Sequence, residues 1–517
     1  MKNKQVKFLK QLLETPSATG TEIAVAELVR ERLAGTADEI QTDVMGSVHA
    51  RLSGTGVAPS LMLSAHMDEI GLMVTYISDE GFLSVSSVGG VDAAILPGMR
   101  VDVHASNSFE PLRGVVGRKP IHLIEPDERK NVTPIDKLVI DLGLPAKRVK
   151  KLVMVGDVIT FGVGFERFGK NMAVSRAFDD KAGVWVAVRV LETLAKEGRA
   201  PGDFIVAATV QEEIGTRGAI TSAYGLDPDV AIAFDVTHAT DYPGIDKTKY
   251  GKIVCGEGPV IARGPNINPA VFERLVAAAE AEGLPYQIEA EPGVTGTDAR
   301  SIQISRGGVP TGLVSVPLRY MHTPTEVVSL DDLDATVKLL ARFARDLDED
   351  ACFVPGMGDA AQPRRRRRRR VRCADAVRRD GCGVGTAVKR EEKTIAKNKK
   401  AFHEYEILET LEAGIELTGT EVRSLRDNHC QLTDCFALIR DGEVWLHNVH
   451  IPPYLNGNIA NPDPDRKRKL LLHKKQIRQL QEQVKEKGMA LVPVKMYFKD
   501  NSLVKVELAV ARGKKLY

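Results

Sequence analysis

Residues 61–68 read Leu-Met-Leu-Ser-Ala-His-Met-Asp, an apolar run of strand length that ends in a histidine and an aspartate. Because side chains alternate between the two faces of a strand, His66 and Asp68 lie on the same side, where the carboxylate can accept the imidazole N–H and fix the ring tautomer. A His-x-Asp pair taken alone is most often a hydrogen-bonded surface pair. Its position at the end of an apolar strand makes this pair a candidate for a metal site.

Two adjacent glutamates follow a second apolar run, residues 204–210. Neighbouring glutamates usually form a solvated surface, but Glu212 and Glu213 come between a run typical of a buried strand and a Gly-rich turn. One carboxylate can ligate a cation there, while the other takes protons from water and delivers them to a leaving amine. The pair is therefore a candidate for ligation and for general base catalysis.

Further acidic residues and a second histidine complete the candidate set. Asp179 and Asp180 precede a helical pattern, and spacing alone allows either one to bridge two cations. Asp235 and His322 lie next to strand-like or turn segments. Two histidines and several carboxylates at the ends of apolar segments are the ligands with which a hydrolase holds two divalent cations around one water molecule. The set predicts a metal-dependent peptidase.

Apolar runs alternate with helical patterns over residues 1–350. Such alternation is typical of a sheet flanked by helices, so we expect an α/β fold with the candidate ligands at the carboxyl ends of the strands. The predicted strands are residues 61–64, 204–210, 230–234 and 309–316, and the predicted helices are residues 23–33, 182–195, 269–282 and 330–347.

Residues 70–172 break this alternation, because they contain short strand-like pieces and Gly-rich turns with little helical pattern. The change predicts an inserted β domain. The catalytic domain is then discontinuous and comprises residues 1–69 and 173–354.

Residues 355–388 contain seven consecutive arginines at positions 364–370. Seven like charges without an apolar face favour a disordered, solvated linker between two domains. Two other interpretations remain open: a basic nucleic-acid contact, and translated spacer between two neighbouring reading frames.

Residues 389–517 contain short alternating strands and one helical pattern at residues 473–487, which predicts an OB-like β-barrel with a helical crossover. Small barrels of this type often bind RNA. Arg466, Arg468 and Lys469 form a basic cluster that can contact phosphates, although charge alone favours a solvated surface.

Charge and cysteine content set further limits. Residues 1–354 carry 48 acidic and 37 basic side chains, whereas residues 387–517 carry 24 basic and 18 acidic ones. This asymmetry favours a metal or peptide site in the first part and a polyanion partner in the second. Six scattered cysteines without a Cys-x-x-Cys pair, together with the lack of a signal peptide or a long apolar run, predict a cytoplasmic protein that does not contact membranes.

Four motifs in residues 1–354 resemble those of the glutamyl and tetrahedral aminopeptidases, a family of dinuclear metallopeptidases. They are Ala-His-Met-Asp-Glu-Ile-Gly at residues 65–71, Phe-Asp-Asp-Lys-Ala-Gly at 178–183, Gln-Glu-Glu-Ile-Gly at 211–215 and Met-His-Thr-Pro-Thr-Glu at 321–326. The resemblance implies removal of N-terminal residues from peptides by two divalent ions, Zn or Co, and a homo-oligomer built through the inserted β domain.

The same resemblance implies a role for each candidate residue. Asp179 would bridge both cations, and Glu212 would act as general base and acid. The remaining implied roles are His66 and Asp235 as ligands of one cation, Glu213 and His322 as ligands of the other, and Asp68 as the residue that orients His66.

Residues 389–517 closely resemble small protein B, the bacterial partner of transfer-messenger RNA (tmRNA) that rescues stalled ribosomes. Lys-Asn-Lys-Lys at residues 397–400 and His-Glu-Tyr at 403–405 match its opening. The resemblance implies RNA contacts by Glu412, Leu471 and His473. That family continues past Gly-Lys-Lys with a long basic tail, whereas this chain stops at Tyr517, so we expect RNA binding without full ribosome rescue.

These observations predict a bifunctional fusion of a metallo-aminopeptidase and a tmRNA-binding factor. Two alternatives remain: an RNA-binding rescue factor with an incidental peptidase half, and two separate proteins merged by a frame or annotation error.

Overall fold

The computed structural model describes residues 3–125, 130–356, 392–398, 400–401, 405–427, 430, 432, 435–440, 442–452, 462–487, 489–499 and 503–514. The chain divides into two compact units, with the division between residues 368 and 369. All but two residues of the predicted linker 355–388 lie outside the described residues.

The first unit contains an 11-stranded sheet and a closed six-stranded barrel. Its strands in chain order are β1 (Glu39–Thr42), β2 (Val48–Leu52), β3 (Leu61–His66), β4 (Gly71–Ile77), β5 (Leu83–Val88), β6 (Arg100–His104), β7 (Leu112–Gly117), β8 (Val139–Asp141), β9 (Val158–Phe161), β10 (Glu166–Phe168), β11 (Met172–Ser175), β12 (Phe204–Thr209), β13 (Val230–His238), β14 (Val260–Arg263), β15 (Gln287–Ala290), β16 (Thr311–Arg319) and β17 (Glu326–Ser329).

The large sheet has the strand order β1-β2-β12-β3-β13-β16-β17-β11-β10, and β14 and β15 extend from β16. Its centre, β12-β3-β13-β16, is parallel, and antiparallel strands flank it on both sides. Parallel strands end at the same edge of a sheet, so the residues that end or follow β3, β12, β13 and β16 converge there.

The α-helices of the first unit are α1 (Asn3–Glu14), α2 (Ile23–Leu33), α3 (Ala146–Leu152), α4 (Phe178–Glu197), α5 (Arg217–Leu226), α6 (Lys247–Tyr250), α7 (Pro269–Ala281), α8 (Ala299–Gln303) and α9 (Leu330–Arg345). Within the described residues of this unit, short 3₁₀ helices lie at Ala93–Ile95, Ile121–Leu123 and Ile135–Lys137. The predicted sheet flanked by helices is confirmed.

Alternate side chains of the central strands fill two cores on opposite faces of the sheet. On β3, Leu61 and Leu63 pack in the larger core with Trp185 of α4 and Phe343 of α9. Met62 packs on the other face with residues of α5 and α8. Because both faces are covered, the central strands are apolar throughout, which explains the continuous apolar runs in the sequence.

The barrel is formed by β4 to β9 in the order β4-β5-β8-β7-β6-β9 and has its own apolar core. It lies between β3 and β11 in the chain, so the sheet is interrupted by an inserted β structure. β10, which lies near the end of the predicted insertion at residues 70–172, pairs with β11 in the large sheet.

Among its described residues, the second unit has seven strands and two helices with complete bounds, and residues 400–401 are also helical. The strands are β18 (Glu392–Lys397), β19 (Tyr405–Ile415), β20 (Phe436–Arg440), β21 (Glu443–His447), β22 (Arg468–Leu471), β23 (Ala490–Lys499) and β24 (Leu503–Gly513), and the helices are α10 (Gly419–Asp427) and α11 (Lys474–Lys487). The strand order is β18-β23-β20-β21-β22-β19-β24, and β23 also pairs with β24. Apolar side chains of these strands and both helices share one core.

None of the helices in the described part of the chain is long and apolar enough to span a membrane.

Candidate metal centre and nucleic-acid interface

Two overlapping triads of potential metal ligands lie at the carboxyl edge of the large sheet. Ligand atoms of His66, Asp179 and Asp235 lie within 4.8 Å of one another, and so do ligand atoms of Asp179, Glu213 and His322. Asp179 belongs to both triads. The five residues come from five separate segments of the chain, and the fold of the sheet and of the start of α4 brings them together.

Asp179 lies between the two histidines. Its Oδ1 is 3.1 Å from His66 Nε2, and its Oδ2 is 3.3 Å from His322 Nε2. Asp180 instead accepts hydrogen bonds from the backbone N–H groups of Gly183 and His66. Of the two aspartates that spacing allows as the bridge, the geometry therefore favours Asp179.

Asp68 connects His66 to the two glutamates. Its Oδ1 is 3.3 Å from His66 Nδ1, and the carboxylate accepts the backbone N–H groups of Glu212 and Glu213 at 3.0 and 3.2 Å. Thr19 donates its hydroxyl to the same carboxylate. A ring that donates through Nδ1 leaves Nε2 free to ligate, as predicted from the His-x-Asp pattern.

Burial controls the acid–base properties of the paired glutamates. It raises the pKa of Glu212 to about 8, with Asp298, Glu213 and Asp179 adding to the effect. Burial and the negative charge of Asp179 raise the pKa of Glu213 to about 7. Burial alone would also raise the pKa of Asp179, but hydrogen bonds from His322 and His66 hold it well below its usual range.

This donor set fits divalent cations. Carboxylates packed this closely repel one another in their charged forms, and burial also raises the pKa of Asp235. A divalent cation in each triad would remove that repulsion and would find imidazole nitrogen and carboxylate oxygen as ligands, a mixture that suits zinc and similar metals. The geometry can support hydrolysis beside a water molecule.

Two residues that orient the ligands were not singled out from the sequence. Glu326 accepts the backbone N–H groups of Asp179 and His322, each at 3.1 Å. The carbonyl oxygen of Gly90, in the loop after β5, accepts His322 Nδ1–H at 2.9 Å. A Cβ at Gly90 would lie 2.8 Å from His322 Nδ1, so only glycine allows this approach. Glu326 belongs to the motif at 321–326, whereas no local signal marks Gly90.

A buried network of charged side chains connects the segments that carry the site. Glu69 accepts hydrogen bonds from Arg176 and from Lys181, whose Nζ is 2.8 Å away. Lys181 also donates to the carbonyl oxygen of Thr15, and Arg176 to that of Glu14. The network connects the end of α1, the segment after β3 and the start of α4, which carries Asp179.

The three residues of the basic cluster in the second unit differ in their burial and in their partners. Arg468 is 0% exposed, and its guanidinium group contacts Glu421 together with the carbonyl oxygens of Val449 and Pro464. Arg468, which the sequence predicts to be an RNA contact, is therefore held inside the unit by internal partners. A charge pattern cannot distinguish a structural arginine from a surface one.

The other RNA candidates reach the surface. Arg466 shares Glu421 with Arg468 but is partly exposed, and Lys469 lies 3.1 Å from Glu443. Glu412 accepts hydrogen bonds from Tyr497 and Lys499. The last two candidates, Leu471 and His473, are exposed at the end of β22 and just before α11.

The α/β sheet and the ligand triads at its carboxyl edge define the first unit as a metallohydrolase. The chain belongs to the M42 glutamyl aminopeptidase family, whose sequence model matches residues 46–339. Residues 395–517 match the model of the SmpB protein family. Both resemblances noted in the sequence are confirmed.

Individual relatives agree with these families. A lysyl aminopeptidase of Pyrococcus furiosus is 35% identical over 66% of this chain and 96% of its own length. An SsrA-binding protein of Geobacter sulfurreducens is 60% identical over 24% of this chain and 82% of its own length. Among solved structures, the TET1 peptidase of Pyrococcus horikoshii, described as assembling into a tetrahedron or a large octahedral shell, matches 66% of this chain and 100% of its own with 31% identity and a TM-score of 0.59.

The chain therefore joins a metal-dependent M42 aminopeptidase to an SsrA-binding protein.

Proposed function

We propose that residues 1–69 and 173–354 form a catalytic domain that removes N-terminal residues from peptides with two divalent ions, Zn or Co. The observation that carries this proposal is the position of Asp179, which is shared by both ligand triads. In this scheme His66 and Asp235 hold one ion, and Glu213 and His322 hold the other. Asp68 orients His66.

Glu212 is the proposed general base and acid. It is buried beside the triads and belongs to neither of them. The bound ions would polarise the scissile carbonyl and acidify the attacking water. Glu212 would accept the proton of that water and deliver it to the nitrogen of the departing peptide, which leaves as a neutral amine.

The test of this assignment is the variant Glu212→Gln, which keeps the shape of the side chain and removes its basicity. We expect kcat for an N-terminal aminoacyl substrate to fall by about 10³-fold, with metal content unchanged. Glu280→Gln, the same change at an exposed position of α7, is the matched control. Full activity of Glu212→Gln at full metal occupancy would rule out this role.

For the second unit we infer binding of tmRNA, and through it association with the ribosome. The name of the Geobacter relative, the basic surface residues and the ring of strand pairings from β23 through β24 support an OB-like RNA-binding barrel in residues 389–517. Arg466, Lys469, Glu412, Leu471 and His473 are the proposed RNA contacts. A tmRNA affinity no higher than that for bulk tRNA would contradict the inference.

The inserted segment 70–172 is the proposed oligomerisation domain. Its barrel exposes large apolar side chains, among them Tyr76, Phe109, Leu123 and Val155. The assembly described for the TET1 peptidase supports the same inference. Residues 355–388, with their seven arginines, would connect the oligomer to the RNA-binding domain.

We place the protein in the cytoplasm. Cys255 and Cys430 are free thiols, as expected in a reducing compartment. An immunoblot of the source cell checks whether one polypeptide of 56.4 kDa is made. Two smaller products would instead support separate proteins.

A further inference from the structure

One outward face of the second unit carries a compact group of aromatic, apolar and basic side chains. It is formed by β20, β21 and β22, whose alternate residues point away from the core. We call it the Phe436 face, and its members are Phe436, Leu438, Arg440, Glu443, Trp445, His447, Lys467, Lys469 and Leu471.

The strand register makes these side chains neighbours. Phe436 lies opposite His447, and Leu438 lies opposite Trp445. Lys469 in turn lies opposite Trp445 on the other side. The rings of Phe436 and His447 stack with centroids 5.2 Å apart and planes only 5° from parallel. The face therefore presents a contiguous aromatic group rather than scattered apolar residues.

The core does not require these side chains, because the residues between them already fill it. Ala437, Val444 and Leu446 point inward and are buried. Phe436 is 38% exposed, Leu438 37% and Leu471 52%. A single exposed apolar side chain needs no explanation, but a contiguous apolar group on one sheet face indicates an interaction surface.

Charge on the face favours an anionic partner. Arg440 and Lys467 are exposed, and Lys469 lies 3.1 Å from Glu443. Three basic groups thus share the face with one carboxylate. Burial, together with the nearby charges of Lys467 and Arg440, lowers the pKa of His447, so this imidazole is neutral at neutral pH and can stack.

We propose that the Phe436 face binds an unpaired base of RNA, which stacks on the rings of Trp445 and the Phe436–His447 pair. Arg440 and Lys467 contact the adjoining phosphates. Flat aromatic rings flanked by basic side chains are what unstacked bases require, because every base offers a π face and every linkage a negative charge. The proposal rests on the RNA-binding function inferred above and adds a contact surface to it.

Tryptophan fluorescence gives a direct test. The chain has two tryptophans, and Trp185 is 0% exposed in the core of the first unit. In the full chain carrying Trp185→Phe, emission comes from Trp445 alone, and we expect tmRNA and a short oligoadenylate to quench it. Should Trp185→Phe fail to fold, the wild-type signal minus that of Trp445→Phe gives the same quantity.

Affinity measurements test the rings and the charges separately. We expect Phe436→Ala with His447→Ala to weaken tmRNA binding by about tenfold, the effect of losing one stacked base. Leu503→Ala, which truncates a 60% exposed side chain of the same unit outside this face, should leave the affinity unchanged. Arg440→Ala should reduce the slope of log Kd against the logarithm of the salt concentration by about one.

The outcomes separate this proposal from the function on which it rests. If the wild-type chain binds tmRNA no better than bulk tRNA, the RNA-binding function itself fails. If the wild type binds tmRNA well but the double variant binds equally well and Trp445 is not quenched, the Phe436 face proposal is overturned.

Discussion

At the residue scale, the candidate metal centre depends on which of two adjacent aspartates faces both histidines. Asp179 and Asp180 are chemically identical and follow each other in the chain, so their order alone does not separate their roles. Asp179 contacts both imidazoles, whereas Asp180 accepts backbone N–H groups. One carboxylate is placed for ligation and its neighbour for local structure.

This difference predicts opposite results for the same change at the two positions. Asp179→Asn should lose most bound metal, because both triads lose a charged oxygen ligand. Asp180→Asn should keep more metal but lower the thermal stability, since it weakens buried backbone hydrogen bonds. Elemental mass spectrometry of the bound metal and thermal unfolding check both predictions, with Asp350→Asn at an exposed position as control. Greater metal loss in Asp180→Asn would reverse the assignment.

At the element scale, the start of α9 contains a buried carboxylate with a hydrogen-bonding role. Ser329 accepts the N–H groups of Asp331 and Asp332, while the Asp332 carboxylate accepts those of Gly256 and Gly258. Burial raises the pKa of Asp332 to about 6. Asp332 at the start of α9 therefore holds the loop before β14 in position through two hydrogen bonds.

The raised pKa of Asp332 predicts a pH-dependent stability difference. A group whose pKa is higher in the folded than in the unfolded protein stabilises the fold at pH values below the pKa of the unfolded state. This stabilisation is lost as the pH rises to the pKa of the folded state. Relative to Asp332→Asn, the wild type should lose roughly 3 kcal/mol in unfolding free energy between about pH 4 and pH 7. Chemical denaturation across this range measures the difference. Asp331→Asn on the exposed side of the same turn is the control, and a constant difference would contradict the prediction.

In the second unit, Glu421 of α10 neutralises the buried Arg468 and the partly buried Arg466. Removal of one partner of a buried ion pair leaves an uncompensated charge, so Glu421→Ala should destabilise this unit by about 3–5 kcal/mol. Glu443→Ala, which breaks the exposed pair with Lys469, should cost less than about 1 kcal/mol. Equal losses in denaturant unfolding would show that the Arg468 network is not structural.

At the scale of the whole molecule, each unit has its own apolar core and its own candidate site. A protease site introduced between residues 357 and 391 and then cut should therefore leave both activities unchanged. Treatment with 1,10-phenanthroline, which removes transition metals but not magnesium, should abolish peptidase activity and spare RNA binding. Peptidase assays and tmRNA binding assays, with zinc or cobalt added back as control, measure this. A loss of RNA binding in the same treatment would indicate coupled sites.

The sequence by itself determined the architecture of the first unit and the identity of both families. Apolar strands such as residues 61–66 are continuous because both faces are covered, and His66, Glu213 and His322 end or follow strands whose parallel ends must meet. These signals are local, so they survive in a linear pattern.

Only the tertiary structure decided which groups touch. Gly90 is 232 residues from His322, and its carbonyl contact depends on how the barrel packs against the sheet. Arg468 resembles its basic neighbours in the chain, yet its guanidinium group is buried and pairs with Glu421, which lies 47 residues away. Contacts between distant segments depend on packing, and packing leaves no periodic trace in the residues that it joins.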